Sequence, residues 1–140
     1  MQTTIAARLF DRLADLIPSF ATSGEGAVYY APPRLEGDIA SYCTVSKACG
    51  NGVFVLELSH DIVVKGVDEP APWMEIRVDL NSRQAELLTV QDEWRYEVVY
   101  SESGAPNPKR SQLNLYAVNW LSMMLHHGGA FRPVDVPVAV

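Results

Sequence analysis

The sequence predicts an α+β fold: an N-terminal helix, an antiparallel meander of about five to six strands, and a C-terminal helix packed on the same sheet face. Three observations lead there. Ile5, Leu9, Leu13, Leu16 and Ile17 recur at spacings of three and four near the start, with Arg8, Asp11, Arg12 and Asp15 between them. Met74, Ile76, Val78 and Leu80 alternate with Glu75, Arg77 and Asp79 in the middle. Leu113, Tyr116, Ala117, Trp120, Leu121 and Met124 form one helical stripe near the end. Two amphipathic helices and a sheet with one wet face cover one another best when both helices lie on the dry face.

The first helix is capped by Thr3 or Thr4 and stopped by Pro18. Residues 19–26 form a polar loop, and residues 27–31 begin the β-favouring segments, broken by Pro32 and Pro33. Residues 42–48 and 53–58 flank Gly50-Asn51-Gly52, whose glycines accept positive φ, so a hairpin is expected with Phe54, Leu56 and Leu58 on its core face. Residues 61–72 read as a loop or edge segment. Residues 73–80 turn at Asn81-Ser82 and return as 83–90, and 94–100 alternate again, which completes a meander. Asn107 caps the last helix with Pro108 at its first position, and Gly128 ends it. Trp73, Trp94 and Trp120, with Tyr96, Tyr100 and Tyr116, suit a sheet–helix core.

The chain has 140 residues, 48% hydrophobic and 20% charged, which suits a single domain and is too apolar for disorder. Residues 1–129 are expected to form that α+β domain. In the tail, 130–140, Val134, Val136 and Val138 alternate with Asp135, Pro137 and Ala139. It reads as an edge strand or an interface segment, although Pro133 and Pro137 each remove a ladder donor.

Charge excludes one function class and locates another. A net charge of −6 argues against direct nucleic-acid binding, which draws its affinity from clustered Lys and Arg. Residues 61–102 carry ten acids and four bases, a net of −6, while the flanking segments contribute −2 and +2 and cancel. Glu75, Asp79, Glu86 and Glu97 therefore mark the meander's outer face as a surface that steers a basic partner. The alternative is a solvated face with cross-strand pairs between these acids and Arg77, Arg83 and Arg95.

Motifs with chemistry are sparse. Cys43 and Cys49, six residues apart, lie roughly 20 Å from each other on one strand, beyond disulfide reach. They read as free thiols in a reducing compartment. No window approaches the roughly 18 apolar residues of a membrane span, so the cytoplasm is the expected compartment. His126 and His127 diverge on a helix and His60 stands apart, so no metal site or cofactor is expected. Neither Gly24-Glu25-Gly26 nor Gly50-Asn51-Gly52 has the context of a phosphate loop. His60-Asp61 at a strand end is the one dipeptide that suggests a pocket with acid–base character.

Residues 72–78 (Pro-Trp-Met-Glu-Ile-Arg-Val), Ala85-Glu86-Leu87-Leu88, Asn107-Pro108, Gln112-Leu113-Asn114, Trp120-Leu121 and His127-Gly128 together resemble the YqiB-like family of uncharacterised bacterial proteins. The likeness extends backward over residues 5–129. An Asp-Glu-Lys run common in the family before its Gln-Leu-Asn is absent here, and Leu80-Asn81 stands where the family has Tyr-His-Asp. The resemblance implies a small bacterial protein of this fold and supplies no reaction.

Three functional expectations follow. The first is a non-enzymatic protein-binding or regulatory module using the acidic face (Glu75, Asp79, Glu86, Glu97), the tail (Val134, Val136, Val138), or both, with a protein partner or a second copy. The second is a small-molecule-binding protein or small hydrolase with its pocket near His60 and Asp61. The third is an acidic, anti-CRISPR-like inhibitor of a nucleic-acid-binding machine.

Overall fold

The computed structural model describes residues 4–17, 26, 28–31, 40–61, 63–64, 67–68, 73–91, 96–126 and 132–133. Helix α1 (Ile5–Leu16) is capped by Thr4, whose Oγ1 accepts the Ala7 N–H at 3.1 Å, and the helix ends just before Pro18. Strands β1 (Val28–Ala31), β2 (Ala40–Gly50) and β3 (Val53–Asp61) follow. A small hairpin comes next, β4 (Val63–Val64) with β5 (Val67–Asp68), on the segment read from sequence as loop or edge. Then come β6 (Trp73–Asp79), β7 (Gln84–Gln91), β8 (Tyr96–Val98), helix α2 (Arg110–His126) and β9 (Arg132–Pro133). The main sheet is antiparallel in the order β8-β7-β6-β3-β2-β1-β9. The α+β expectation holds. The sheet has seven strands among the described residues rather than five or six: the seventh is Arg132–Pro133, two residues of the segment read as an edge strand or an interface, which pair beside β1.

The register lines core residues into rows across the sheet. Tyr29, Cys43, Leu58, Met74 and Val90 form one; Val45, Leu56, Ile76 and Leu87 form the next; Phe54, Val78 and Ala85 form the third. All are buried. Both helices close over these rows: Leu9, Phe10, Leu13, Leu16 and Ile17 from α1, and Leu113, Ala117, Val118 and Leu121 from α2, join the same cluster. Arg12 Nε donates to Ser122 Oγ at 3.0 Å and ties the helices together. Among the described residues no helix is long and apolar enough to cross a membrane.

Two turns at one end of the sheet are clasped. Asn51 and Gly52 link β2 to β3 with φ of 55° and 78°, the pattern of the hairpin turn that matches strand twist. Leu80 N–H donates to Gly52 O at 2.9 Å, and the Asn81 side-chain amide donates to Asn51 O. A Cβ on Gly52 would meet Asn81 Nδ2 at 3.0 Å, so glycine serves both the backbone angle and the close approach.

Two expectations are corrected in detail. Tyr96, read as core, is 61% exposed, because β8 is the sheet's margin; the chain turns inward just beyond it, where Val99 is buried and Tyr100 packs against the core. Asn107 does cap the chain entering α2, its Oδ1 accepting Lys109 N–H at 2.9 Å, but Pro108 and Lys109 form a tighter first turn in which Asn107 O accepts Arg110 N–H at 2.9 Å, so the regular α-helix begins at Arg110 rather than Pro108.

Candidate functional site

The β7 strand outruns its neighbour, and a cleft forms where it does. Strand β8 pairs with β7 only over Thr89, Val90 and Gln91. The register of β6 against β7 shifts between Glu75 and Ile76, so Leu88 is an extra residue on β7. Val99 N–H still reaches Leu88 O at 2.8 Å, after which the chain turns away. The next β7 amide on this edge, Leu87 N–H, donates to Asn114 Oδ1 of α2 at 2.7 Å, and Asn114 Nδ2 donates to Arg110 O at 3.0 Å. The first turn of α2 thus covers the strand edge that β8 leaves.

Below that point a cleft of about 420 Å³ opens, lined by the start of α1 (Ile5, Ala6), the start of α2 (Arg110, Ser111) and the β6–β7 strand ends. Its charged centre is Glu86. The side chain of Glu86 is 14% exposed, accepts Arg110 Nε at 2.6 Å and Tyr100 Oη–H at 2.5 Å through Oε1, and meets Arg77 Nη2 at 3.4 Å through Oε2. Arg77 stands opposite Glu86 in the β6–β7 register, and the Arg110 guanidinium lies 5.3 Å from the centroid of the Tyr100 ring. Burial, then the hydrogen bond donated to Glu86, raise the Tyr100 pKa, so its hydroxyl stays a donor. Arg77 and Arg110 remain 52% and 50% exposed. The result is a nearly buried carboxylate in contact with two guanidiniums that each stay about half exposed, an arrangement suited to a second planar anion.

The residues singled out from sequence are dispersed. Glu86 sits in the cleft, engaged with Arg77, Arg110 and Tyr100. Asp79 lines the same cleft and its Oδ1 accepts Asn81 N–H at 2.9 Å and Ser82 N–H at 3.3 Å, bracing the turn. Glu97 lies on β8 and pairs with Lys109 at 3.4 Å. Glu75 faces Glu57 across β3 and β6, and Glu57 Oε1 accepts the Trp73 indole N–H at 2.7 Å. Of the cross-strand pairs weighed from sequence, Arg77–Glu86 is present, whereas Arg83 stacks over Phe10 at 4.9 Å. Arg95, Val134, Val136 and Val138 lie outside the described residues. His60 and Asp61 close β3 opposite Ser41 and Ala40, roughly 24 Å of extended strand from Val53, which lines the cleft.

Sequence reasoning did not single out Arg77, Tyr100, Arg110 or Asn114 as members of one site. The Gln112-Leu113-Asn114 run was visible, but a lone Asn within a helical stripe does not announce that it will cap a strand edge. Cys43 is buried and Cys49 exposed, both as free thiols. No protein-family model matches the chain, and comparisons with curated proteins and with solved structures find no match.

Proposed function

We propose that the chain is a non-enzymatic protein-binding module whose binding surface is the cleft between the starts of α1 and α2. The observation that carries this reading is the Arg77–Glu86–Arg110 arrangement: one nearly buried carboxylate meets two half-exposed guanidiniums, Arg110 at 2.6 Å and Arg77 at 3.4 Å, beside a cleft of about 420 Å³. Guanidiniums that keep open N–H groups beside a partly buried carboxylate suit recognition of a partner's planar anionic group. The acidic outer face is a weaker candidate, since Asp79, Glu86 and Glu97 each already serve an internal contact.

Selection of binders from an unbiased peptide library, run in parallel on the wild-type chain and on an Arg77→Ala/Arg110→Ala variant with matching circular dichroism, tests the reading. Binders enriched by the wild type and lost by the variant are the expected result. An empty selection, or binders retained in full by the variant, overturns it.

A further inference from the structure

The open edge of β7 carries the same site one step further. Leu87 turns its N–H away from β6 and toward Asn114. Ladder groups alternate sides along an antiparallel strand, so Ala85, two residues back, turns its N–H and C=O the same way. Ala85 lines the cleft, and β8 does not reach it. One strand-type donor and one acceptor therefore face the cleft beside the two guanidiniums. Arg77 and Arg110 each give one N–H to Glu86, and among the described residues the other N–H groups of these side chains have no hydrogen-bond partner.

Resting on the cleft as the binding site, we propose that it takes an extended segment of a partner protein, which adds to β7 as a short strand paired at Ala85 while a guest carboxylate bridges Arg77 and Arg110. Backbone pairing supplies sequence-tolerant affinity, and the arginine fork selects the acidic side chain. Charge argues for a carboxylate over a dianion: Glu86 and Asp79 also line the cleft, and the chain as a whole carries −6. A cleft of about 420 Å³ is at the small end of ligand pockets, a volume that suits a few residues of extended chain.

The probe is a capped pentapeptide of alternating valine and glutamate, titrated into the full chain by calorimetry and by amide chemical shifts. Saturable binding is expected, with the Ala85 amide shifting. N-methylation of the central guest residue should weaken it at least tenfold, as should replacing guest glutamate by glutamine. Arg110→Lys should weaken it severalfold by removing the fork. Equal affinity of the N-methylated peptide, or of glutarate alone, overturns strand pairing while leaving a carboxylate cleft standing. Failure of the pentapeptide to bind when library binders still depend on Arg77 and Arg110 overturns this proposal alone. Full binding to the Arg77→Ala/Arg110→Ala variant overturns both, and concentration-dependent self-association that blocks the peptide assigns the edge to a second copy and overturns the partner segment.

Discussion

Asn114 of α2 accepts the backbone N–H of Leu87 on β7 at 2.7 Å, a hydrogen bond between elements 27 residues apart. The bond lies in the buried interior, where an amide left without a partner costs about 1–3 kcal/mol. Asn114→Leu is expected to lower stability by about 2 kcal/mol. For a chain of this length that is a Tm drop of about 7 °C. Asn114→Asp keeps the acceptor for Leu87 but loses the donor to Arg110 O and buries a charge, so it should cost at least as much. Urea denaturation of the three proteins checks this; a Leu variant as stable as wild type contradicts it.

The two arginines on Glu86 should not be energetically equal. Arg110 Nε approaches at 2.6 Å and stacks on Tyr100, whereas Arg77 meets the carboxylate at 3.4 Å. Both guanidiniums are about half exposed, which limits either pair to the range of surface ion pairs. Double-mutant cycles with alanine should give about 1 kcal/mol for Glu86–Arg110 and below about 0.5 kcal/mol for Glu86–Arg77. Reversed values would contradict the geometry.

Asp79 predicts an acid-limb effect of definite sign. Its carboxylate accepts the Ser82 and Asn81 amides, and these bonds hold its pKa below the usual carboxylate value of about 3.9. The contribution of a group with a depressed folded pKa is complete above the unfolded value and disappears as pH falls through the folded one. The stability gap between wild type and Asp79→Ala should therefore be largest at pH 7, hold to about pH 5, and narrow below pH 4. Urea midpoints at pH 7, 5 and 3 measure it, and a gap independent of pH rules the carboxylate out as the turn's brace.

The thiols should separate cleanly. Cys43 lies in the row between Tyr29 and Leu58, and burial pushes its pKa up to about 12, while Cys49 is exposed at the β2–β3 turn. Since the thiolate is the reactive form, a disulfide reagent at pH 8 should modify one thiol rapidly in the native chain and the second only on unfolding. Two fast equivalents would disprove the burial of Cys43.

Much of the fold was legible because it rests on period. The alternation of Met74, Ile76 and Val78 is the burial pattern of β6, and Leu9, Leu13 and Leu16 are buried on α1 as their spacing implies. The Asn51-Gly52 hairpin was readable from turn chemistry alone. The cleft was not legible, since its lining comes from α1, β3, β6, β7 and α2, with Tyr100 after β8 reaching its central carboxylate. What joins them is the early end of β8, fixed by where the chain turns back between Tyr100 and Pro106. Sequence alternation continues past that point, through Tyr100, with nothing to mark that pairing has stopped. Tyr96 misled for the same reason, because position at a margin is a property of the finished sheet.

The sheet's two margins differ in a way that bears on how copies of this chain behave when crowded. Among the described residues one is the three-residue β8 and the other the two-residue β9, where Pro133 has no N–H to offer a neighbour. Short edges and prolines deny a second sheet the continuous ladder from which fibres grow. Among the described residues the ladder groups that β8 leaves bare on β7 are few, too few to seed a growing stack, so the same truncation of β8 that creates a docking edge also keeps that edge from becoming a polymerisation edge.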